Sequence, residues 1–250
     1  MSALKRFFVD KIEEVTELCG EEFEHAKNVL RIGVGAEVIL LDNSGKEYVA
    51  VVAQVEKKRM LLNVLREETG GREAKTDAYL LFGYLKNTDK NEFIVQKAVE
   101  LGVNKIGVFS SEFSSAYMNA NKLERLNKVS KEAAKQCLRS IAPEVVYYED
   151  LSSALKTAEV YQNKLFACEF ADESGVKISQ IKGSTAMVVG SEGGFSREEE
   201  NLAKTLGFSS VTLGKRILRA ETAAVALSAI VMFSLGELGD GNEQTKGADI

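Results

Sequence analysis

The stretch Met187 to Glu200, MVVGSEGGFSREEE, places Gly190, Ser191, Gly193 and Gly194 around Glu192 at the end of an apolar run. Glycines permit positive φ and let a ligand or a second backbone come close. A strand ending in GSEGG therefore suits a small-molecule loop, and free N–H groups of a helix opening at Ser196 would favour an anion. A tight corner without a ligand is the alternative. The glycine spacing does not fit the GxGxxG of dinucleotide-binding loops.

The stretch Leu213 to Ala229, LGKRILRAETAAVALSA, repeats this geometry. A strand ends at Leu213 and Gly214, a short basic connection follows, and a helix begins near Glu221. Two such loops at one end of a sheet could form two walls of a pocket, with Arg219 and Glu221 on its rim. Otherwise Glu221 is a helix-dipole partner, and Lys215, Arg216 and Arg219 are solvated surface charges.

Basic residues form a third candidate. Between Lys122 and Arg139, apolar Leu123, Leu126, Val129, Ala133 and Cys137 recur at helical spacing. Lys122, Arg125, Lys128, Lys131, Lys135 and Arg139 outnumber Glu124 and Glu132 there, giving a local basic face compatible with phosphates or simply solvated. Near the N-terminus, His25 and Arg31 flank HAKNVLR, and Arg6 precedes Phe7 and Phe8. Aromatic and arginine side chains of this kind can hold RNA, and core packing of the two phenylalanines is the alternative.

These residues need elements to position them. Ala36 to Leu41 and Tyr48 to Val55 read as strands joined by the turn Asp42-Asn43-Ser44-Gly45, followed by Met60 to Leu65. With one short helical stretch at His25 to Leu30, they predict a small β-barrel over residues 1–70. Glu67 to Lys75 reads as a linker. From there to residue 250, apolar runs alternate with helical patterns. Strands are expected at Tyr79 to Leu85, Lys105 to Phe109, Val145 to Tyr148, Lys164 to Glu169, Thr185 to Val189 and Ser210 to Leu213. Asp89 with Glu92 predicts one helix start, ended by Gly102, and Ser196 with Glu199 a second, ended by Gly207. The pattern predicts an α/β domain with a mostly parallel sheet, which binds ligands beyond the carboxyl ends of its strands. The polar tail from Gly236 is expected to fray.

Composition removes several classes of chemistry. The chain is 45% hydrophobic and 28% charged, with a net charge of -5, which argues against indiscriminate nucleic-acid binding but leaves room for a local basic patch. Cys19, Cys137 and Cys168 are too scattered for a zinc site or a disulfide framework. His25 is the sole histidine, so two-histidine metal centres and HExxH sites are absent. The apolar run Thr222 to Leu235 is too short to span a bilayer comfortably, and no secretory signal opens the chain. A cytoplasmic setting, without metal or membrane, is expected.

Taken together, GSEGGFSREE followed by LGKRILRAETAA resembles the paired motifs of the RsmE family, whose members methylate N3 of uracil 1498 in small-subunit ribosomal RNA. KRFFV, HAKNVLRIGVG, FIVQKAVELGV and EAAKQCLRSIAPEV follow the family pattern as well. Ser191 stands where the family usually has proline, Phe113 where arginine is common, and Leu138 where a glycine precedes Arg139.

The resemblance implies an N-terminal PUA-like RNA-binding β-barrel over 1–70 and a SPOUT methyltransferase domain with a trefoil knot over 71–250, working as a homodimer on 16S rRNA of the small ribosomal subunit. It implies S-adenosyl-L-methionine as cofactor, contacted by Cys168, Glu169, Val189, Gly190, Ser191, Glu192, Gly193, Gly194, Leu213, Gly214, Ile217, Leu218, Arg219, Thr222 and Ala223. Arg219 is expected to stabilise the developing uracil anion, with Glu192 or Glu221 orienting it or accepting its proton. Candidate RNA contacts are Arg6, His25, Arg31, Lys86, Gln96, Lys97, Arg125 and Arg139.

Overall fold

The structure is a computed structural model, and it describes residues 4–69, 71–114, 116–169 and 176–239. It divides into two compact units. One holds the chain up to Glu73 together with Ala134–Ala142; the other holds Ala74–Ala133 and the chain from Pro143 onward. The tail from residue 240 lies outside the described residues.

In the first unit five strands form one sheet: β1 (Lys5–Phe8), β2 (Val15–Cys19), β3 (Glu37–Leu41), β4 (Lys46–Val55) and β5 (Arg59–Thr69), in the order β1-β3-β4-β5-β2. β1 runs parallel to β3 and the remaining pairs are antiparallel. The β3–β4 turn forms where expected, because Asn43 and Gly45 supply left-handed φ values of 62° and 87°. Phe7, Leu18, Leu40, Met60 and Leu62 meet in its core with Phe23 and Ala26. The expected helical stretch is a short helix α1 (Gly20–Glu24) running into a π-helical turn at His25–Val29. The segment Ala134–Ala142 is fastened here by Glu73. That carboxylate takes hydrogen bonds from Arg139 Nη2 at 2.7 Å and from the N–H groups of Ser140 and Ile141 at 2.9 and 3.1 Å.

The second unit carries an all-parallel sheet. Its strands are β6 (Ala78–Gly83), β7 (Lys105–Phe109), β8 (Val145–Tyr148), β9 (Asn163–Ala167), β10 (Thr185–Val189) and β11 (Ser209–Val211), ordered β11-β9-β10-β6-β7-β8. β6 and β10 are buried along their whole length, as continuous apolar strands covered on both faces must be. Side chains alternate between the faces. Leu81, Phe166, Ala186 and Val188 pack with α4 (Leu151–Thr157) and α5 (Arg197–Thr205). α2 (Thr88–Glu100) and α6 (Ala220–Ser234) pack together, and α6 lies against β6 and β10. α3 (Ala120–Gln136) completes the helices.

Local chemistry sets the helix ends. Ser196 and Glu199 form the expected capping box of α5. The cap of α2 is Asn87 rather than Asp89: Asn87 Oδ1 accepts from the Asp89 N–H at 2.8 Å. Asn87 holds the extended backbone that a cap needs, so Asp89 falls inside the first turn.

Candidate functional site

β11, β9 and β10 are parallel neighbours, so their carboxyl ends open on the same side. The three connections that leave them wall a cavity of about 500 Å³: residues 167–169 after β9, 189–195 after β10 and 211–219 after β11. The first turn of α6 and Lys90 of α2 complete it. Its volume is that of a site for a medium-sized ligand. The structure thus brings together the two loops singled out in the sequence, and it places them where open α/β sheets bind ligands.

The GSEGG stretch is a four-residue turn. The Gly194 N–H donates to Ser191 O at 3.0 Å, and the two residues form a β-bridge across it. Its glycines serve different ends. A Cβ on Gly190 would stand 3.1 Å from Gly194 backbone, and one on Gly193 would meet Phe113 Cβ at 2.5 Å. Those two glycines admit other parts of the chain. Gly194, at φ 69°, and Gly214, at φ 104°, face open space and need glycine for their backbone conformation. Ser191 is buried, and its Oγ lies 3.3 Å from Ser111 Oγ, so the residue that stands in place of the family's proline ties the loop to a neighbour.

The two candidate carboxylates are held differently. Glu192 accepts the backbone N–H of Lys86 at 3.1 Å through Oε1, which joins the turn to the chain after β6. Glu221, in the first turn of α6, is paired with Lys90 Nζ at 3.0 Å, and its Oε2 is buried without a partner. Burial opposes ionisation of Glu221. The hydrogen bond from Lys90, the N–H of Glu221 itself and the charges of Lys90 and Arg219 outweigh burial and hold the carboxyl below the ordinary glutamate value. Arg219 is exposed on the cavity wall, where its charge acts on Glu221, and Lys215 and Arg216 are exposed there with no ion pair among the described residues.

Behind the wall, Glu200 of α5 is 1% exposed and joins three elements. It takes hydrogen bonds from Ser210 Oγ of β11 at 2.9 Å and Cys168 Sγ at 3.6 Å, and pairs with Lys204 at 3.0 Å. Cys19, Cys137 and Cys168 form no disulfide among the described residues.

Of the residues expected to contact a cofactor, all line the cavity except Thr222, which is exposed at the start of α6. The expected RNA contacts are scattered. Arg6 is nearly buried and bonded to Glu47, and Arg139, with a side chain 3% exposed, is committed to Glu73. Neither guanidinium is available to a phosphate. Arg125 pairs with Glu92 and Lys97 with Glu100 near the surface, and His25 lies edge-on to Phe7. Arg31, Lys86 and Gln96 are exposed. Lys90 escaped the sequence reading, because nothing in the local pattern shows that α2 brings it to α6.

A glycine-rich cavity at the carboxyl ends of a parallel sheet, joined in one chain to a small β unit, defines an α/β ligand-binding protein with an accessory domain. Residues 72–232 match the RNA methyltransferase domain, and residues 18–65 match the RNA methyltransferase PUA domain. The chain belongs to the RsmE family of RNA methyltransferases. It is 32% identical over 247 residues to ribosomal RNA small subunit methyltransferase E of Bacillus subtilis, covering 91% of this chain and 96% of the relative. The enzyme of the same name from Neisseria gonorrhoeae, solved bound to S-adenosyl methionine, superposes with a TM-score of 0.81 at 29% identity, over 93% of this chain and 98% of that one. A Legionella pneumophila methyltransferase in complex with the same cofactor gives 0.85 at 26% identity, over 93% and 98%.

Proposed function

We propose that this protein transfers the methyl group of S-adenosyl-L-methionine to N3 of a uridine in 16S rRNA of the small ribosomal subunit, at uracil 1498 as the family resemblance implies. The observation that carries the reading is the cavity walled by both motif loops, with the buried, unpartnered Glu221 Oε2 among its polar groups. The residues present fit the cofactor. Val189, Leu213, Leu218 and Ala223 offer apolar surface to an adenosine moiety, backbone at 190–194 and Gly214 offers hydrogen-bonding groups, and carboxylates face a cationic ligand.

When bound, the cofactor supplies an electrophilic methyl group on a positively charged sulfur. Uracil N3 attacks only after losing its proton, so the chain must favour the anion and align it. Arg219, exposed on the wall, stabilises negative charge as it spreads onto O2 and O4. Glu221 is kept ionised by Lys90 and acts as a fixed negative charge and hydrogen-bond acceptor. A carboxyl with a lowered pKa is a weak proton acceptor, so in this reading the N3 proton passes to solvent base. Glu192, bonded to Lys86 N–H, anchors the loop.

The exposed cations Arg31, Lys86, Lys215 and Arg216 serve as phosphate contacts in this reading. A homodimer in the cytoplasm and the trefoil crossing of the chain belong to the same proposal. The test is methyl transfer from labelled cofactor to unmodified small subunits, with the site mapped by reverse transcription. An N3 methyl blocks the pairing face and gives a stop at the modified uridine. Cofactor binding without transfer to subunits or free rRNA sinks the assigned target.

A further inference from the structure

The turn Ser111 to Ser114, which follows β7, is braced on the glycine loop and on α5. The Ser114 N–H donates to Ser111 O at 3.0 Å, and the Ser111 N–H donates to Ser114 Oγ at 2.8 Å. Outward ties run from Ser111 Oγ to Ser191 Oγ and from the Glu112 N–H to Glu199 Oε1 at 3.0 Å. Glu199 therefore accepts from two backbones, since its Oε2 takes the Ser196 N–H of the capping box. Phe113 rides on this fixed turn with its Cβ against Gly193, yet it remains 48% exposed.

Single exposed apolar residues are ordinary. A phenylalanine whose backbone is braced beside a cavity-lining loop is a different case, because the turn that carries it has little freedom left to lose when a flat partner covers the ring. The surroundings indicate what that partner is. Lys215 and Arg216 on the cavity wall are exposed and form no ion pair among the described residues, although the whole chain carries a net charge of -5. Exposed Lys215 and Arg216 on the wall after β11 and an exposed aromatic beside Gly193 of the same cavity match single-stranded RNA, whose phosphates take the charges and whose bases stack on rings. Drawing one nucleotide into a cavity also bares the face of its neighbour.

We propose that Phe113 is a stacking platform for the unpaired RNA base next to the nucleotide that enters the cavity. This inference rests on the RNA methyl-transfer reading. The site takes the flat face of a base without reading its edge, so it favours an unpaired neighbour over any particular sequence.

The test compares Phe113→Ala, Phe113→Leu and Phe113→Trp in initial-rate methyl transfer to small subunits. All three keep the Cβ that packs on Gly193. Ala and Leu should raise the KM for subunits roughly tenfold, as loss of one stacked base does, while the KM for S-adenosylmethionine stays at the wild-type value and Trp restores the subunit KM. A Leu variant equal to wild type, or a parallel rise in the cofactor KM, overturns the platform. Sedimentation velocity supplies the remaining arm: a change in oligomeric state in Phe113→Ala means that a second copy of the chain covers the ring, and this also overturns it. Absence of transfer by the wild-type protein overturns the RNA reading itself.

Discussion

Lys90 Nζ, on α2, lies 3.0 Å from Glu221 Oε1, in the first turn of α6. Both line the cavity, and the pair keeps ionised the one carboxylate there that, among the described residues, has a buried oxygen without a partner. α2 packs on α6, so ordinary helix packing delivers the lysine to its partner.

Lys90→Met removes the ion pair of the partly buried Glu221, and its pKa rises. Activity that requires the ionised carboxylate then appears only at higher pH, so the acid limb of the kcat/KM profile moves upward. Lys90→Arg keeps the wild-type limb. The linkage to folding has a fixed sign. With its folded pKa below the ordinary 4.5, ionised Glu221 adds stability above that value, and the gain is lost as pH falls through the folded pKa. Chemical denaturation at several pH values should show this slope weakened in Lys90→Met.

Gly193→Ala places a Cβ 2.5 Å from Phe113 Cβ. Main chain must shift on one side, because Phe113 O is also only 3.2 Å away. Overpacking of this kind costs about 1–3 kcal/mol. Thermal unfolding should register the loss, and isothermal titration should show weakened cofactor binding as the 190–194 turn is displaced.

Leu138 occupies left-handed backbone at φ 64°. An L-residue there carries a cost of about 1–2 kcal/mol that glycine escapes. Truncation to alanine removes the side chain and keeps the strain, whereas truncation to glycine removes both. Leu138→Gly should therefore be more stable than Leu138→Ala by about 1 kcal/mol in urea titrations.

Affinity for small-subunit RNA should fall with added salt, because phosphate contacts release counterions. Replacing both Lys215 and Arg216 with alanine should flatten the logarithmic salt dependence by roughly one to two units. Replacing Arg139, which is occupied by Glu73, should leave that slope unchanged and lower stability instead. Filter binding over a salt series separates the two behaviours.

Features written within a few residues were legible in the sequence. Ser196 and Glu199 bond to each other's backbone, and the positive φ values of Gly102 and Gly207 end their helices locally. β7 and β10 matched because continuous apolar runs define buried parallel strands, and β8, a half-exposed edge strand, matched on its β-branched and aromatic residues. β1 went unread, since four residues form a strand there only by pairing with β3, far along the chain. α4 went unread as well, because two helical turns behind the Asp150 cap offer too little periodicity. At the site, both loops and their glycines were legible. The Lys86 amide on Glu192 and the Lys90 ammonium on Glu221 were not, because no spacing along the chain encodes them. Asn87 and Asp89 are both competent caps two positions apart, and only the backbone decides between them.

The bonds from Glu73 to Arg139, Ser140 and Ile141 mean that the first unit is written in two separate stretches of gene. A fragment cut at residue 73 would keep the carboxylate and lose every group that satisfies it. Recombination at a single crossover could not move this unit intact to another protein. Its inheritance is tied to the other unit, part of which is encoded between those two stretches, so the two units of such a chain would be expected to diverge together rather than be exchanged as separate modules.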